Sequence, residues 1–227
     1  MDNSRYSGGM RRFFHGLLVI LSLALAALAS TTPAYADSSD VDAAARGVVR
    51  VVLVGKEGPE GEEIVTPVSH GSGFAVTPTM IVTNAHVIRE ALQDDTLRIG
   101  VVPSESVDKA GNGAFARAIA VSPRNDLALL EIAEGSLSLP PLSISGGVSG
   151  DMGEVSAVGY PMNVDLAQGL DLADIFDAQP PVKSRGFLSG QRPSRQFDTL
   201  LHTAPIARGN SGGPLLDSCG RVLGGIR

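Results

Sequence analysis

The sequence predicts an all-β fold. Short apolar segments rich in Val, Ile and Leu alternate with turns that contain Gly, Pro and Asn, and no long helical pattern is convincing after the N-terminal region. Pro140 and Pro141 lie in residues 133–142, where they disfavour a central strand and therefore predict a linker. This linker divides the strands into two groups, and with 227 residues, 43% of them hydrophobic, the chain is long enough to bury a sizeable core.

The N-terminal region is predicted to be a targeting segment. Three arginines precede an apolar stretch at residues 17–28, and the small-x-small pattern AYA follows at residues 34–36. We expect cleavage after Ala36, so that residues 1–36 are a signal peptide and the protein is periplasmic or secreted. An uncleaved anchor is the alternative, and the arginines leave both the Sec and the twin-arginine routes open. Residues 37–46 are predicted to be a linker.

Eleven strands are expected after that linker. The first group lies at residues 48–54, 71–76, 80–83, 97–102, 115–121 and 127–132. The second group lies at residues 154–159, 182–188, 197–203, 213–216 and 221–226. A short helical turn is expected at residues 85–91.

Three short motifs carry the residue types of nucleophilic catalysis. They are TNAHV at residues 83–87, NDLALL at residues 125–130 and GNSGGP at residues 209–214. A serine hydroxyl needs a neutral imidazole as base and a carboxylate to orient that imidazole, and Ser211, His86 and Asp126 fit these roles. The glycines allow a tight turn that aims two backbone amides, those of Gly209 and Ser211, at an oxyanion. Ser211 alone would also fit an ordinary glycine-rich turn, but the other two motifs favour the nucleophile.

Other acidic and histidine residues compete for these roles. Asp94 and Asp95 are closer to His86 in sequence, but they lie in a polar segment where solvated carboxylates are expected. Asp126 directly precedes an apolar strand, where a buried carboxylate requires a hydrogen-bonded partner. His202 lacks the TNAHV setting, and its position just before the GNSGGP motif suggests that it lines the cleft.

Four further segments accompany the motifs in the chain order His, Asp, Ser. They are GSGF at residues 71–74, VGYP at 158–161, RGFLSG at 185–190 and HTAPIA at 202–207. Over residues 47–227 the chain therefore resembles the chymotrypsin-fold serine peptidases, and among them the trypsin-like bacterial branch that includes the HtrA (Deg) proteases. The resemblance implies two six-stranded antiparallel β-barrels, at residues 47–135 and 142–227. The active site would lie between them, with His86 and Asp126 from the first barrel and Ser211 from the second.

The chain departs from this family pattern in two places. Residues 162–184 form an acidic insertion that is longer than in HtrA-like proteins, and we expect it to flank the cleft and modulate specificity, with surface decoration as the alternative. In the family, a further strand, a closing helix and often a PDZ domain follow the strand expected at residues 221–226. The second barrel is therefore expected to be incomplete, as in a fragment or a degenerate copy.

The resemblance also bears on substrates and partners. The substrate-binding residues are predicted to be Pro205, Ile206, Ala207, Gly224 and Gly225. No aspartate is present there to receive a basic side chain, so we expect small or medium apolar P1 residues, while Arg208 and His202 leave acidic P1 residues open. Polypeptides are the expected substrates, and a homo-oligomer is possible because HtrA-like proteins are often trimers.

Composition excludes several other classes. The net charge of −6 and the lack of a basic stripe argue against nucleic acid as a partner. His and Cys do not cluster at ligand spacing, and the aspartates of the insertion lack the pattern of a calcium loop, so no metal or organic cofactor is expected. Cys219 is the only cysteine, which excludes an intrachain disulfide.

The predicted function is an exported serine endopeptidase. The alternatives are a catalytically impaired, protease-like peptide-binding or chaperone-like module and, less favoured, an esterase.

Overall fold

The computed structural model describes residues 38–57, 64–105, 113–147, 153–170, 174–193 and 198–227. The predicted signal peptide and its cleavage after Ala36 lie outside these residues. The chain divides into two units, Met1–Ala36 and Asp37–Arg227, and the following description concerns the second. Within the described ranges, no helix is both long enough and apolar enough to cross a membrane.

The first group of strands closes into an antiparallel barrel. Its strands are β1 (Val48–Glu57), β2 (Ile64–Ala75), β3 (Met80–Thr83), β4 (Leu97–Pro103), β5 (Ala114–Ser122) and β6 (Leu127–Ile132). Their order around the barrel is β1-β2-β3-β6-β5-β4. All six predicted strands are present in this barrel, but β2 begins at Ile64 and not at residue 71 as predicted. The helical turn expected at residues 85–91 is instead a non-helical turn followed by a 3-10 turn at Glu90–Leu92.

Strand β1 is buried on both faces. Alternate residues from Val49 to Leu53 point into the barrel core, while the intervening residues from Val48 to Val54 point outward and are also buried. This explains why β1 begins with the nearly continuous apolar run VVRVVLV, since strict alternation is typical only of strands with one solvent-exposed face. The single charged residue in this run, Arg50, is 2% exposed.

The second group of strands forms an open antiparallel sheet of five strands. They are β7 (Glu154–Gly159), β8 (Val182–Arg192), β9 (Thr199–His202), β10 (Pro214–Asp217) and β11 (Val222–Gly225). Their order is β11-β10-β7-β8-β9. The predicted fold class, a closed first barrel beside an incomplete second one, is therefore confirmed.

In the part of the chain that the structure describes, two short α-helices lie outside the sheets. Helix α1 (Ser38–Ala45) occupies the segment predicted to be a linker, and its Val41 and Ala45 are buried in a cluster that also contains Val48 of β1 and Leu216 of β10. Because α1 packs through Val41, Ala45 and the partly buried Ala44 alone among its described apolar side chains, the sequence carries little periodic signal for it. Helix α2 (Met162–Ala167) begins the acidic insertion.

Burial predicts how two isoleucines of the first barrel differ in their contribution to stability. Ile132 of β6 is 1% exposed in the barrel core, whereas Ile119 of β5 is 37% exposed. We expect Ile132→Ala to lower the free energy of unfolding by about 2–5 kcal/mol, because it removes buried contacts and leaves a cavity. Ile119→Ala, the matched control, is expected to cost less than about 1 kcal/mol. Urea denaturation measures both, and equal losses would contradict the assigned barrel interior.

Candidate active site

His86 and Asp126 are brought together by the pairing of β3 with β6. His86 follows β3 and Asp126 immediately precedes β6, and in the barrel Thr83 lies opposite Ala128. Asp126 Oδ2 lies 2.8 Å from His86 Nδ1, and Asp126 Oδ1 accepts a hydrogen bond from the His86 amide at 2.9 Å. A neutral imidazole that donates from Nδ1 to a carboxylate leaves Nε2 free to accept a proton.

The backbone of Asp126 is fixed as firmly as its side chain. Its carbonyl oxygen accepts hydrogen bonds from the Ala85 amide at 3.1 Å and from Asn84 Nδ2 at 2.9 Å. The residue has φ of 53°, in the left-handed region that Asp and Asn enter more readily than most residues. Asp126 is 5% exposed, and the two contacts of its carboxylate with His86 offset the cost of burying that charge. The turn that carries His86 is thus attached to Asp126 at four points.

Ser211 lies in a loop that we call the nucleophile loop (residues 205–213). Ser72 of β2 attaches this loop to the first barrel: its amide donates to the Ser211 carbonyl at 2.8 Å, and its hydroxyl donates to the Gly209 carbonyl at 2.7 Å. The same hydroxyl accepts from the Tyr160 amide at 3.0 Å. Ser72 therefore joins the nucleophile loop to both barrels.

Two glycines allow the nucleophile loop to approach its neighbours closely. Gly212 has φ of 87°, and a Cβ there would overlap the hydroxyl of Thr83 at the end of β3. Gly209 has φ of 96°, and a Cβ there would overlap the Tyr160 carbonyl oxygen. Both positions require glycine for conformation and for space. As a result, Ser211 lies beside the turn that follows β3.

A family profile described as "Trypsin-like peptidase domain" matches residues 71–224. This chain belongs to the trypsin-like peptidase family. The matched range includes all three motifs and the strands from β3 to β10, so the resemblance inferred from the sequence is confirmed.

Comparison with known proteins places this trypsin-like peptidase near the HtrA and Deg proteins. It is 34% identical over 187 residues to "Serine protease HTRA2, mitochondrial" of Bos taurus, covering 81% of this chain and 36% of the relative. It is 31% identical over 172 residues to "Probable periplasmic serine endoprotease DegP-like" of Chlamydia pneumoniae, covering 74% and 30%. The chain thus spans about a third of the length of these two relatives.

A solved structure supports the fold. The crystal structure of Deg5 superposes with a TM-score of 0.64 at 24% identity, covering 84% of this chain and 83% of the other. At this identity, the similarity concerns the fold alone.

A cleft of about 740 Å³ in this trypsin-like peptidase is lined mainly by residues of the second sheet and by Asn84, Asn125 and Leu127 of the first barrel. Neither His86 nor Ser211 is among the described residues that line it. Of the predicted substrate-binding residues, Ile206, Gly224 and Gly225 line it, whereas Pro205 and Ala207 are not among its lining residues in the described part of the chain. Its apolar lining residues are Leu127, Leu200, Leu201, Ala204, Ile206, Leu215, Leu223 and Ile226. The cleft is therefore suited to apolar side chains over much of its surface.

The acidic insertion lies elsewhere than predicted. Ile175, in the 3-10 turn Asp174–Phe176, is buried against Val52 and Val54 of β1 and Val102 of β4, on the outside of the first barrel. None of the described residues of the insertion lines the cleft. The prediction that the insertion flanks the cleft is therefore wrong for these residues, because the outward side chains of β1 supply an apolar surface on which it packs.

Sequence reasoning missed three residues around the site. Arg227 Nε lies 3.1 Å from Asp126 Oδ2, the same oxygen that contacts His86 Nδ1. The sequence pattern that could have indicated Ser72 is a small polar residue between two glycines in the GSGF segment. The pattern that could have indicated Arg50 is clearer, because a charged residue inside an apolar run requires a buried partner.

The two other described histidines lie away from the His86–Asp126 pair. The side chain of His70 is 6% exposed, and this burial lowers its pKa below the ordinary value. The positive charge of Arg50 lowers the pKa further. The negative charge of Asp165 and a backbone hydrogen bond with Tyr160 act in the opposite direction. His202 lines the cleft, as the sequence suggested, and burial also lowers its pKa, opposed by a backbone bond with Ala204. Both side chains therefore favour the neutral form.

These lowered pKa values predict how stability depends on pH. In the unfolded chain, His70 and His202 bind protons below about pH 6.5, whereas in the folded chain they resist protonation until lower pH. The unfolded state then binds more protons, so the free energy of unfolding should fall as pH drops below about 6.5. In urea denaturation between about pH 7.5 and pH 5, the double variant His70→Gln/His202→Gln should show a shallower fall than the wild type. Identical pH slopes would contradict the assignment.

Proposed function

We propose that this trypsin-like peptidase is a serine endopeptidase in which Ser211 is the nucleophile, His86 the general base and Asp126 the residue that orients the imidazole. The observation that carries the proposal is the 2.8 Å contact between His86 Nδ1 and Asp126 Oδ2, at the boundary of the barrels and beside the nucleophile loop. The names of the relatives support it, since they include serine proteases and serine endoproteases.

The proposed reaction follows the acyl-enzyme route. Ser211 Oγ attacks the carbonyl carbon of the scissile peptide bond while its proton passes to His86 Nε2. The amides of Gly209 and Ser211 stabilise the negative oxygen of the tetrahedral intermediate. This intermediate expels the amine, which takes the proton from His86, and leaves an ester on Ser211. Water then attacks the ester with the same proton transfers, releasing the acid and restoring the hydroxyl.

The proposed substrates are polypeptides with small or medium apolar P1 side chains. The lining of the cleft supports this preference, because Ala204, Ile206 and Leu215 present apolar groups to it. Acidic P1 residues are the competing possibility; His202 lines the cleft, whereas Arg208 is not among the lining residues that the structure describes. We further propose export to the periplasm or beyond, which is supported by two relatives named as periplasmic.

A second candidate function is peptide binding with impaired catalysis. The observation that favours it is the contact of Arg227 with Asp126 Oδ2, because a guanidinium on this oxygen competes with His86 for the carboxylate. A carboxylate that contacts both an arginine and a histidine stabilises the imidazolium less than a carboxylate that contacts the histidine alone. Such a protein would still present the cleft to an extended peptide.

Covalent labelling separates these two functions. A fluorophosphonate reacts with an activated serine, so the exported form should be labelled, and Ser211→Ala should abolish labelling. His86→Ala should slow labelling by at least about 10³-fold, because the hydroxyl loses its base. Gel fluorescence measures the labelling, and circular dichroism verifies that the variants remain folded. A folded wild type that resists labelling but binds peptides would favour the second candidate.

Replacing Asp126 tests its orienting role. Asp126→Asn keeps the shape of the side chain but presents an amide NH₂ to His86 Nδ1, which favours the wrong tautomer. We expect kcat to fall by about 10⁴-fold with little change in KM. Asp94→Asn is the matched control, since Asp94 is closer to His86 in sequence but exposed, and should retain full activity. A loss of less than about tenfold in Asp126→Asn would refute the assigned role.

A further inference from the structure

Arg50 is a buried cation that the proposed mechanism does not use. Its guanidinium donates from Nη2 to Asp165 Oδ1 at 3.0 Å and from Nη1 to the Ile175 carbonyl at 3.3 Å. Its Cζ lies 4.7 Å from the centre of the Tyr160 ring. Moving a guanidinium out of water costs free energy. A buried ion pair such as that of Arg50 with Asp165 is therefore weak evidence of a gain in stability. A role in fixing one arrangement of the chain is therefore worth testing.

Both hydrogen-bond partners of the Arg50 guanidinium among the described residues belong to the acidic insertion. Asp165 lies in helix α2 and Ile175 in the 3-10 turn that follows. Helix α2 has six residues, no side-chain hydrogen bond at its N-cap and no buried residue, so it has little means of holding itself in place. The contacts of Arg50 attach it to β1, the most deeply buried strand of the first barrel.

Helix α2 in turn contacts the nucleophile loop. The amide of Met162, the first residue of α2, donates to the Arg208 carbonyl at 2.7 Å. In a trans peptide the C=O and N–H groups point in opposite directions, so this bond also determines where the Gly209 N–H points. The next carbonyl, that of Gly209, is held by the Ser72 hydroxyl at 2.7 Å. The peptide groups on both sides of Gly209 are thus fixed.

We propose that Arg50 and Asp165 are positioning residues for the oxyanion hole: their buried ion pair holds α2 so that Met162 orients the peptide bond between Arg208 and Gly209. The proposal rests on the proposed function, which assigns the Gly209 amide to the oxyanion. It gives the acidic insertion a role in catalysis from the back of the nucleophile loop, although its described residues do not line the cleft. His70, whose Nε2 lies 3.6 Å from Asp165 Oδ2, completes the surroundings of the pair.

The first test is Asp165→Asn, which keeps the side-chain shape and removes the charge. Without the pair, the Arg208–Gly209 peptide can rotate away, so the rate constant of fluorophosphonate labelling and kcat should both fall by at least about tenfold. KM for a peptide substrate should change by less than about twofold, since the cleft is untouched. Glu131→Gln is the matched control, because Glu131 pairs with Arg117 on the exterior of the first barrel, and it should behave as the wild type.

A second variant separates positioning from stability. Arg50→Met/Asp165→Leu replaces the pair with apolar side chains of similar size, which avoids a lone buried charge and often preserves stability. We expect this double variant to unfold in urea at the wild-type midpoint and yet to be labelled at least about tenfold more slowly. A double variant of full stability and wild-type labelling rate would overturn the proposal, as would an Asp165→Asn protein with unchanged kcat.

The wild type distinguishes this inference from the function on which it rests. A folded wild type that fluorophosphonate does not label would overturn both. A labelled wild type whose Asp165→Asn and double variants are labelled equally fast would leave the endopeptidase proposal intact and overturn the positioning role alone.

Discussion

The arrangement of the site depends on one fully buried serine. Every polar group of Ser72 is used: the amide by Ser211, the carbonyl by the Thr83 hydroxyl at 2.7 Å, and the hydroxyl by Gly209 and the Tyr160 amide. Leaving a buried polar group without its partner lowers the free energy of unfolding by more than the hydrogen bond itself contributed. These contacts therefore form or break together. The nucleophile loop therefore shares its conformation with β2, and neither barrel alone specifies the position of Ser211.

The two barrels share part of their core. One apolar cluster combines Val48 and Phe74 of the first barrel with Val158 and Leu216 of the second sheet. Groups held between elements that pack in this way keep their mutual geometry better than groups on free loops. This packing holds His86 and Ser211, which come from different barrels, in a constant relative position without a covalent link such as a disulfide.

The sequence predicted what local patterns determine. Strands β3, β6 and β7 have the predicted bounds, because each is a short apolar segment between turns. The three motifs were assigned from residue types, and the structure brings His86 and Asp126 into contact, although their catalytic roles stay predictions. These successes share one cause, namely that the information lies within a few consecutive residues.

Features that depend on distant partners were missed. Helix α1 and the packing of the insertion depend on an apolar outer face of β1, and nothing near residue 175 in the sequence reveals that face. Arg50, which was also missed, shows the same limit: a charge inside an apolar run needs a buried partner, but that partner lies 115 residues away in the sequence. Sequence patterns therefore predicted the elements and the motifs better than the contacts between them.

Arg227 and Arg50 each form an ion pair with an aspartate near the site, but the two pairs differ in burial. The Arg227 side chain is 65% exposed, so water can replace it at Asp126, whose carboxylate still receives two hydrogen bonds from His86. The Arg50 side chain is 2% exposed, and water cannot replace it without opening the packing of the insertion against β1. The exposed Arg227–Asp126 pair changes the charge around a carboxylate that His86 already holds. The buried Arg50–Asp165 pair fixes the position of the insertion on β1. Arg227 can therefore change the strength of the His86–Asp126 contact, while Arg50 bears on where α2 lies and, in our proposal, on the shape of the nucleophile loop.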